Sequence, residues 1–289
     1  MFHKILAHKY KIILGVILIV IAVVYAETRD ATVLERFRRS DDQIKASVQF
    51  SIEGLKDLHI SGSNRVSQSA LKSKLSEISM PVYVFDLQLE PHSFIRGLPE
   101  HWYGYKHQQQ ELSDSLKGVR LKHILRRYFK TGKLIHTQAD LQTEKQIVEE
   151  LGFHYIQTNQ TRHRVPEGDQ VDQFIKTLKE LPDDAWVHFH CSAGQGRTSV
   201  AMVVTDILKN GKKVSLEDIV KRHHALGSED LFDTVVWENG TYSQEMLDNR
   251  KNFIVSFYEF VNDPKGFGTI SWQEWSTLKS GQSYSIGDF

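Results

Sequence analysis

The chain has 289 residues, 40% apolar and 25% charged, with 36 basic and 36 acidic side chains and one cysteine. That length can bury one sizeable core or two small ones, the ordinary composition excludes a disordered chain, and the lone cysteine excludes any disulfide within it. A net charge of zero gives no global field to gather a polyanion, so affinity for one has to come from a local cluster.

Along the chain, residues 1–26 set His3, Lys4, His8, Lys9 and Lys11 before an unbroken apolar run at 12–26 that ends in Val24-Tyr25-Ala26. This is the pattern of a secretory signal peptide. An uncleaved membrane anchor is the alternative, the run being short for a span of about 20 residues. Both readings predict export, periplasmic or secreted, or anchoring by 12–26. Loss of the segment removes Lys4, Lys9 and Lys11 and no acid, which leaves a slightly acidic chain. Residues 27–51 read as an extended lead-in interrupted by Arg36-Phe37-Arg38-Arg39-Ser40, and 52–289 as the folded domain. Strands are predicted at 81–87, 133–136 and 153–158. Helices are predicted at 139–151, at 171–181 with Val171, Phe174, Ile175 and Leu178 on one face, and at 196–209, 215–226 and 244–261. This alternation predicts a layered α/β domain.

The stretch His190-Cys191-Ser192-Ala193-Gly194-Gln195-Gly196-Arg197-Thr198-Ser199 carries the chemistry. It follows the strand-like Ala185-Trp186-Val187-His188-Phe189 and precedes Val200, Val203, Val204, Ile207 and Leu208 at helical spacing, so it joins a strand to a helix N-terminus. Successive N–H groups of such a loop form a concave anion site, and the helix end adds partial positive charge. Gly194 and Gly196 let the backbone curl. The same amides and the Arg197 guanidinium are expected to depress the Cys191 thiol below its usual value of about 8.5. Arg197 offers paired donors to two phosphate oxygens, Thr198 can hydrogen-bond the sulfur, and His190 can fix the loop through its ring. No lysine follows the last glycine, which separates this loop from the nucleotide-binding GxxxxGK[ST] pattern.

The string matches the HCxxGxxR[ST] signature of the cysteine-dependent phosphatases, and the chain resembles, more narrowly, the bacterial protein-tyrosine-phosphatase-like inositol phosphatases, the cysteine phytases. The resemblance extends over Ile60-Ser61-Gly62-Ser63, Val84-Phe85-Asp86-Leu87 with Glu90 and His92, Trp102-Tyr103, 181–191, 205–210, Phe257-Tyr258-Glu259-Phe260-Val261 and Trp272-Gln273-Glu274-Trp275. It implies a phosphatase-type core, a central sheet flanked by helices, with a small β-rich insert, for which 103–123 is the candidate. It also implies a phosphocysteine mechanism on Cys191, phosphate held by Ser192, Ala193, Gly194, Gln195, Gly196 and Arg197, and a substrate contact from Arg38. The expected partner is an inositol polyphosphate, or alternatively a phosphotyrosine protein. A weakly active phosphate-binding protein is the reading from another class.

One departure stands out. The family's general-acid stretch Thr-Asp-His-x-Trp-Pro reads here Thr161-Arg162-His163-Arg164-Val165-Pro166, so the acid has become Arg162 while His163 keeps its place among the substrate-binding residues. Glu167, after Pro166, is the candidate replacement acid, with Asp169 behind it. Alternatively Arg162 and Arg164 clamp a second phosphate. No cofactor or metal is expected: His188 and His190 share a strand face, and His223 and His224 are adjacent on a helix and point different ways. Nucleic acid is not an expected partner, since the tryptophans lack interleaved basic residues.

Overall fold

Trp186–His190 (β7) is the strand around which the fold is laid, a run of alternating aromatic, β-branched and histidine side chains that is buried throughout. In the computed structural model, residues 10–11, 13–20, 34–44, 49–89, 92–95, 98–101, 142–158, 164–236 and 242–283 are described. They divide into two compact units, one of 1–33, 67–74 and 91–147, the other of 34–66, 75–90 and 148–289.

The larger unit contains a five-stranded sheet in the order β1-β2-β7-β3-β6, formed by Arg38–Arg39 (β1), Ile60–Ser63 (β2), β7, Val82–Asp86 (β3) and His154–Gln157 (β6). β1 runs antiparallel to β2, while β2, β7, β3 and β6 are parallel. Ser63 and Asp86 flank His190 in register, which brings three carboxyl strand ends to one place. Sites in such sheets form beyond these ends. Residues 34–44 belong to the predicted extended lead-in at 27–51. Two of them pair into the sheet edge, and Leu34, Arg38 and Ser40 are buried.

Three helices of this unit match the predicted periodicity closely: Gly196–Asn210 (α4), Leu216–Ala225 (α5) and Gln244–Asn262 (α6). Gly168–Glu180 (α3) begins a few residues before its prediction. Ser215 and Ser243 cap α5 and α6 by accepting from Asp218 N at 3.1 Å and Met246 N at 3.3 Å, an arrangement that contributes about 1 kcal/mol per cap. Helix α4 packs on β2 and β7 and meets α5 and α6, so nearly all of its side chains from Thr198 to Ile207 are buried. Trp272–Ser283 (α7) closes the far side. Trp272 lies 5.6 Å from Phe253, 5.5 Å from Phe257 and 5.5 Å from Phe260, and full burial of such rings contributes about 1.5–3 kcal/mol each.

A buried charge cluster ties α4 to α5. Asp206 accepts from Arg222 Nε at 2.7 Å, from Asn210 Nδ2 at 2.9 Å and faces His223 Nε2 at 2.9 Å. Arg222 also donates to Glu53 O at 2.9 Å. His224 turns elsewhere, its Nδ1 3.1 Å from Ser228 O.

In the smaller unit, Gln68–Leu75 (α1) and Glu144–Glu150 (α2) start within its boundaries, and His92–Ile95 (β4) pairs antiparallel with Leu98–His101 (β5). The strand predicted at 133–136 and the candidate insert at 103–123 lie outside the described residues. Residues 13–20 are helical, and no helix among the described residues is long and apolar enough to cross a membrane.

Candidate active site

The loop from Cys191 to Gln195 leaves β7 and enters α4 at Gly196. Gly194 makes the turn possible: its φ is +69°, and a Cβ there would collide with the backbone of Ser63 and Asn64. Glycine alone tolerates both conditions. Two arginines from the N-terminal strand segment hold carbonyls of the loop. Arg36 Nη1 donates to Ala193 O at 2.7 Å, and Arg38 Nη1 donates to Gly194 O at 3.0 Å. The amides of Ala193 and Thr198 bond the Cys191 sulfur.

Cys191 is 3% exposed. Burial alone would push its thiol up. The Arg197 charge, the Thr198 hydroxyl donating to Sγ at 3.2 Å, and the two amides outweigh that, and the thiol sits below its ordinary value. This is the physical condition for a thiolate nucleophile. Arg197 is steadied by Nη1 donating to Leu87 O at 2.9 Å, at the end of β3. His190 is fully buried, its Nε2 4.0 Å from Asp86 Oδ1, and Leu87 N donates to its carbonyl at 3.0 Å. His188 faces Ser61 Oγ at 2.9 Å and Ser63 Oγ at 3.1 Å, one hydroxyl at each ring nitrogen.

Arg38, the residue expected to contact substrate, holds the loop from within the protein. Its side chain is 1% exposed and lies beneath the loop, where Nε donates to Ser228 Oγ at 2.8 Å and Nη2 to Ser199 Oγ at 3.2 Å. Burial lowers its pKa to about 10 against the opposing pull of Cys191 and Glu229. Its guanidinium thus bonds the loop carbonyl of Gly194 and interacts electrostatically with Cys191.

Over Arg197 opens a cleft lined, among the described residues, by Arg164, Pro166, Gly196, Tyr242, Arg250 and neighbouring apolar side chains. Ser192 and Gln195 are half-buried at the loop and Ala193 is exposed. Glu167 and Asp169 are exposed at the start of α3. The Glu167 N–H donates to Gln170 Oε1 at 3.2 Å, Asp169 Oδ1 accepts from Gln170 N at 2.9 Å, and neither carboxylate lines the cleft. Arg162 and His163 lie outside the described residues. Arg36, Tyr242, Glu229 and Arg250 also surround the loop and its cleft, without a motif in the sequence to mark them. Only the basic run around Arg36 gave a local signal, the others being brought in by tertiary packing.

A family model of protein-tyrosine-phosphatase-like phytases, described as inositol hexakisphosphate, matches residues 106–209. The solved structure of such a phytase from Bdellovibrio bacteriovorus aligns with a TM-score of 0.62 at 29% identity, covering 86% of this chain and 92% of that one. The fold is that of the protein-tyrosine-phosphatase-like phytases, and residues 106–209 are similar to their family model. A second family structure, the myo-inositol phosphatase from Mitsuokella multacida in complex with myo-inositol-(1,3,4,5)-tetrakisphosphate, aligns with a TM-score of 0.67 at 26% identity over 87% of this chain and 48% of that one. Effector protein hopD2 of Pseudomonas syringae pv. tomato is 25% identical over 262 residues, 83% of this chain and 56% of that protein. The chain thus spans about half the length of these two relatives.

Proposed function

We propose that this chain is a cysteine-dependent phosphomonoesterase acting on inositol polyphosphates through a phosphocysteine intermediate. The observation that carries the reading is the Cys191 sulfur, buried yet held toward thiolate by Arg197, Thr198 Oγ1 and two loop amides. In this reading Sγ attacks phosphorus in line, while the loop amides and Arg197 hold the equatorial oxygens and gain strength as charge spreads over them. Water then cleaves the thiophosphate, and the Thr198 hydroxyl stabilises the departing sulfur. The arginines around the cleft, Arg164, Arg197 and Arg250, supply the local positive field that the overall charge lacks. An inositol tetrakisphosphate bound by the Mitsuokella relative supports the same substrate class. Export or anchoring by residues 1–26 belongs to this proposal.

A phosphotyrosine protein is the second reading, favoured by the neutral Ser192 and Gln195 in the loop. Phosphate release from inositol hexakisphosphate and from a phosphotyrosine peptide, each compared with nitrophenyl phosphate, separates the two. Faster turnover of the inositol ester supports the proposal. Binding without turnover of any ester would instead make the chain a phosphate-binding protein, the outcome that Arg162 at the acid position favours.

A further inference from the structure

The phosphomonoesterase reading leaves one proton unassigned, the one that the leaving-group oxygen takes as its bond to phosphorus breaks. The family's acid position is Arg162, and Glu167 and Asp169 are exposed outside the cleft.

Tyr242 lines that cleft together with Arg164, Arg197 and Arg250. Its hydroxyl lies against Gly196, in the space a Cβ there would need. The ring is fixed by the Arg250 guanidinium, 5.4 Å from its centroid, and Arg250 Nη1 is held by Glu229 Oε2 at 2.5 Å. Glu229 N in turn donates to Ser199 Oγ at 3.0 Å, on the hydroxyl that also accepts from Arg38. The phenol is therefore built into the framework that holds the catalytic loop.

We propose that Tyr242 is the general acid, donating its phenolic proton to the leaving-group oxygen. The inference rests on the phosphomonoesterase reading. As the Sγ–P bond forms, the ester P–O bond breaks, its electron pair goes to the leaving oxygen, and that oxygen takes the Tyr242 proton. The phenolate then accepts a proton from the attacking water, whose oxygen bonds phosphorus as the S–P bond breaks and the thiolate returns. The charged groups facing the phenol are Cys191 from the loop, Arg197 from the start of α4, Glu229 from the segment after α5 and Arg250 from α6, with Arg164 lining the same cleft. Burial, then Glu229, push the phenol's pKa up, which keeps the proton in place until it is needed. Arg250 and Arg197 oppose that shift and stabilise the phenolate once it forms. An inositol hydroxyl is a weaker acid than a phenol, so the transfer runs downhill, whereas a nitrophenolate gains little from a donor.

The test is Tyr242→Phe, which removes only the hydroxyl, assayed on esters from nitrophenyl phosphate to inositol hexakisphosphate across pH. The expected loss in kcat grows with the pKa of the leaving group and reaches about 10²-fold or more on the inositol ester, and the alkaline descending limb of the kcat profile flattens. A uniform loss across the series would reduce Tyr242 to support of the loop and overturn the inference, as would a wild-type rate on the inositol ester. Failure of the underlying reading has a different mark: wild-type protein that hydrolyses not even nitrophenyl phosphate, which overturns the reading and the inference together.

Discussion

The Arg38 guanidinium reaches the Gly194 carbonyl at 3.0 Å from beneath the catalytic loop, on a side chain 1% exposed. A residue from the sheet edge thus sets the conformation of a loop at the sheet centre. Arg38→Met removes the donors to Gly194 O, Ser199 Oγ and Ser228 Oγ and a positive charge near the sulfur. Turnover is expected to fall by about 10-fold or more, since losing one charged donor to a buried group costs about 1.5–3 kcal/mol. The pH midpoint for alkylation of Cys191 is expected to rise at the same time. An unchanged midpoint would limit Arg38 to packing.

Thr198→Val keeps the shape of the side chain and removes the hydroxyl 3.2 Å from Cys191 Sγ. The hydroxyl lowers the thiol's pKa, so the variant is expected to need a higher pH for alkylation and to accumulate phosphoenzyme, because the sulfur leaves less readily in the second step. Burst kinetics with nitrophenyl phosphate measures this: the burst amplitude should survive while the steady-state rate falls.

Gly194→Ala places a methyl group against the backbone of Asn64 at a φ of +69°. Left-handed backbone alone costs a residue with a side chain about 1–2 kcal/mol, and the collision adds to it. The variant is expected to melt at a lower temperature and to lose phosphate-analogue binding, both readable by calorimetry with and without vanadate.

Asp206 is buried, which would push its pKa up, but His223 and Arg222 outweigh this and hold it below the usual carboxylate range. A carboxylate depressed on folding contributes stability that is fully present above the unfolded value of about 3.9 and is lost as pH falls through the folded value. Asp206→Asn is therefore expected to be less stable at neutral pH and to show a flatter loss of stability in acid. Arg222→Ala is expected to cost about 3–5 kcal/mol, because it strands a buried charge. Urea unfolding between pH 3 and 7 measures both.

Much of this was legible in the sequence because function here is concentrated in a contiguous motif. The loop, β7 and α4 follow from the run His190 to Ser199 and its apolar flanks, and the parallel strand β3 from the buried run at 81–87. Ile60–Ser63 gave little strand signal, since it holds one large apolar residue. Its small residues serve packing instead: a Cβ on Gly62 would collide with Met202 and Thr198 on α4. Arg38 was visible as a candidate, but its direction was not, because a basic run reads the same whether it faces solvent or is buried under a loop. Tyr242 and Arg250 are separated from the motif by about fifty residues, and no local pattern marks them. They become site residues only when α6 packs beside α4.

In the proposed reaction Cys191 carries the phosphoryl group between the two steps. Rapid acid quench during turnover of inositol hexakisphosphate, followed by mass analysis of the peptide containing Cys191, tests it most directly. One phosphoryl group on that peptide in the wild type, and neither adduct nor turnover in Cys191→Ser, is the predicted result. Sustained phosphate release by Cys191→Ser would contradict it.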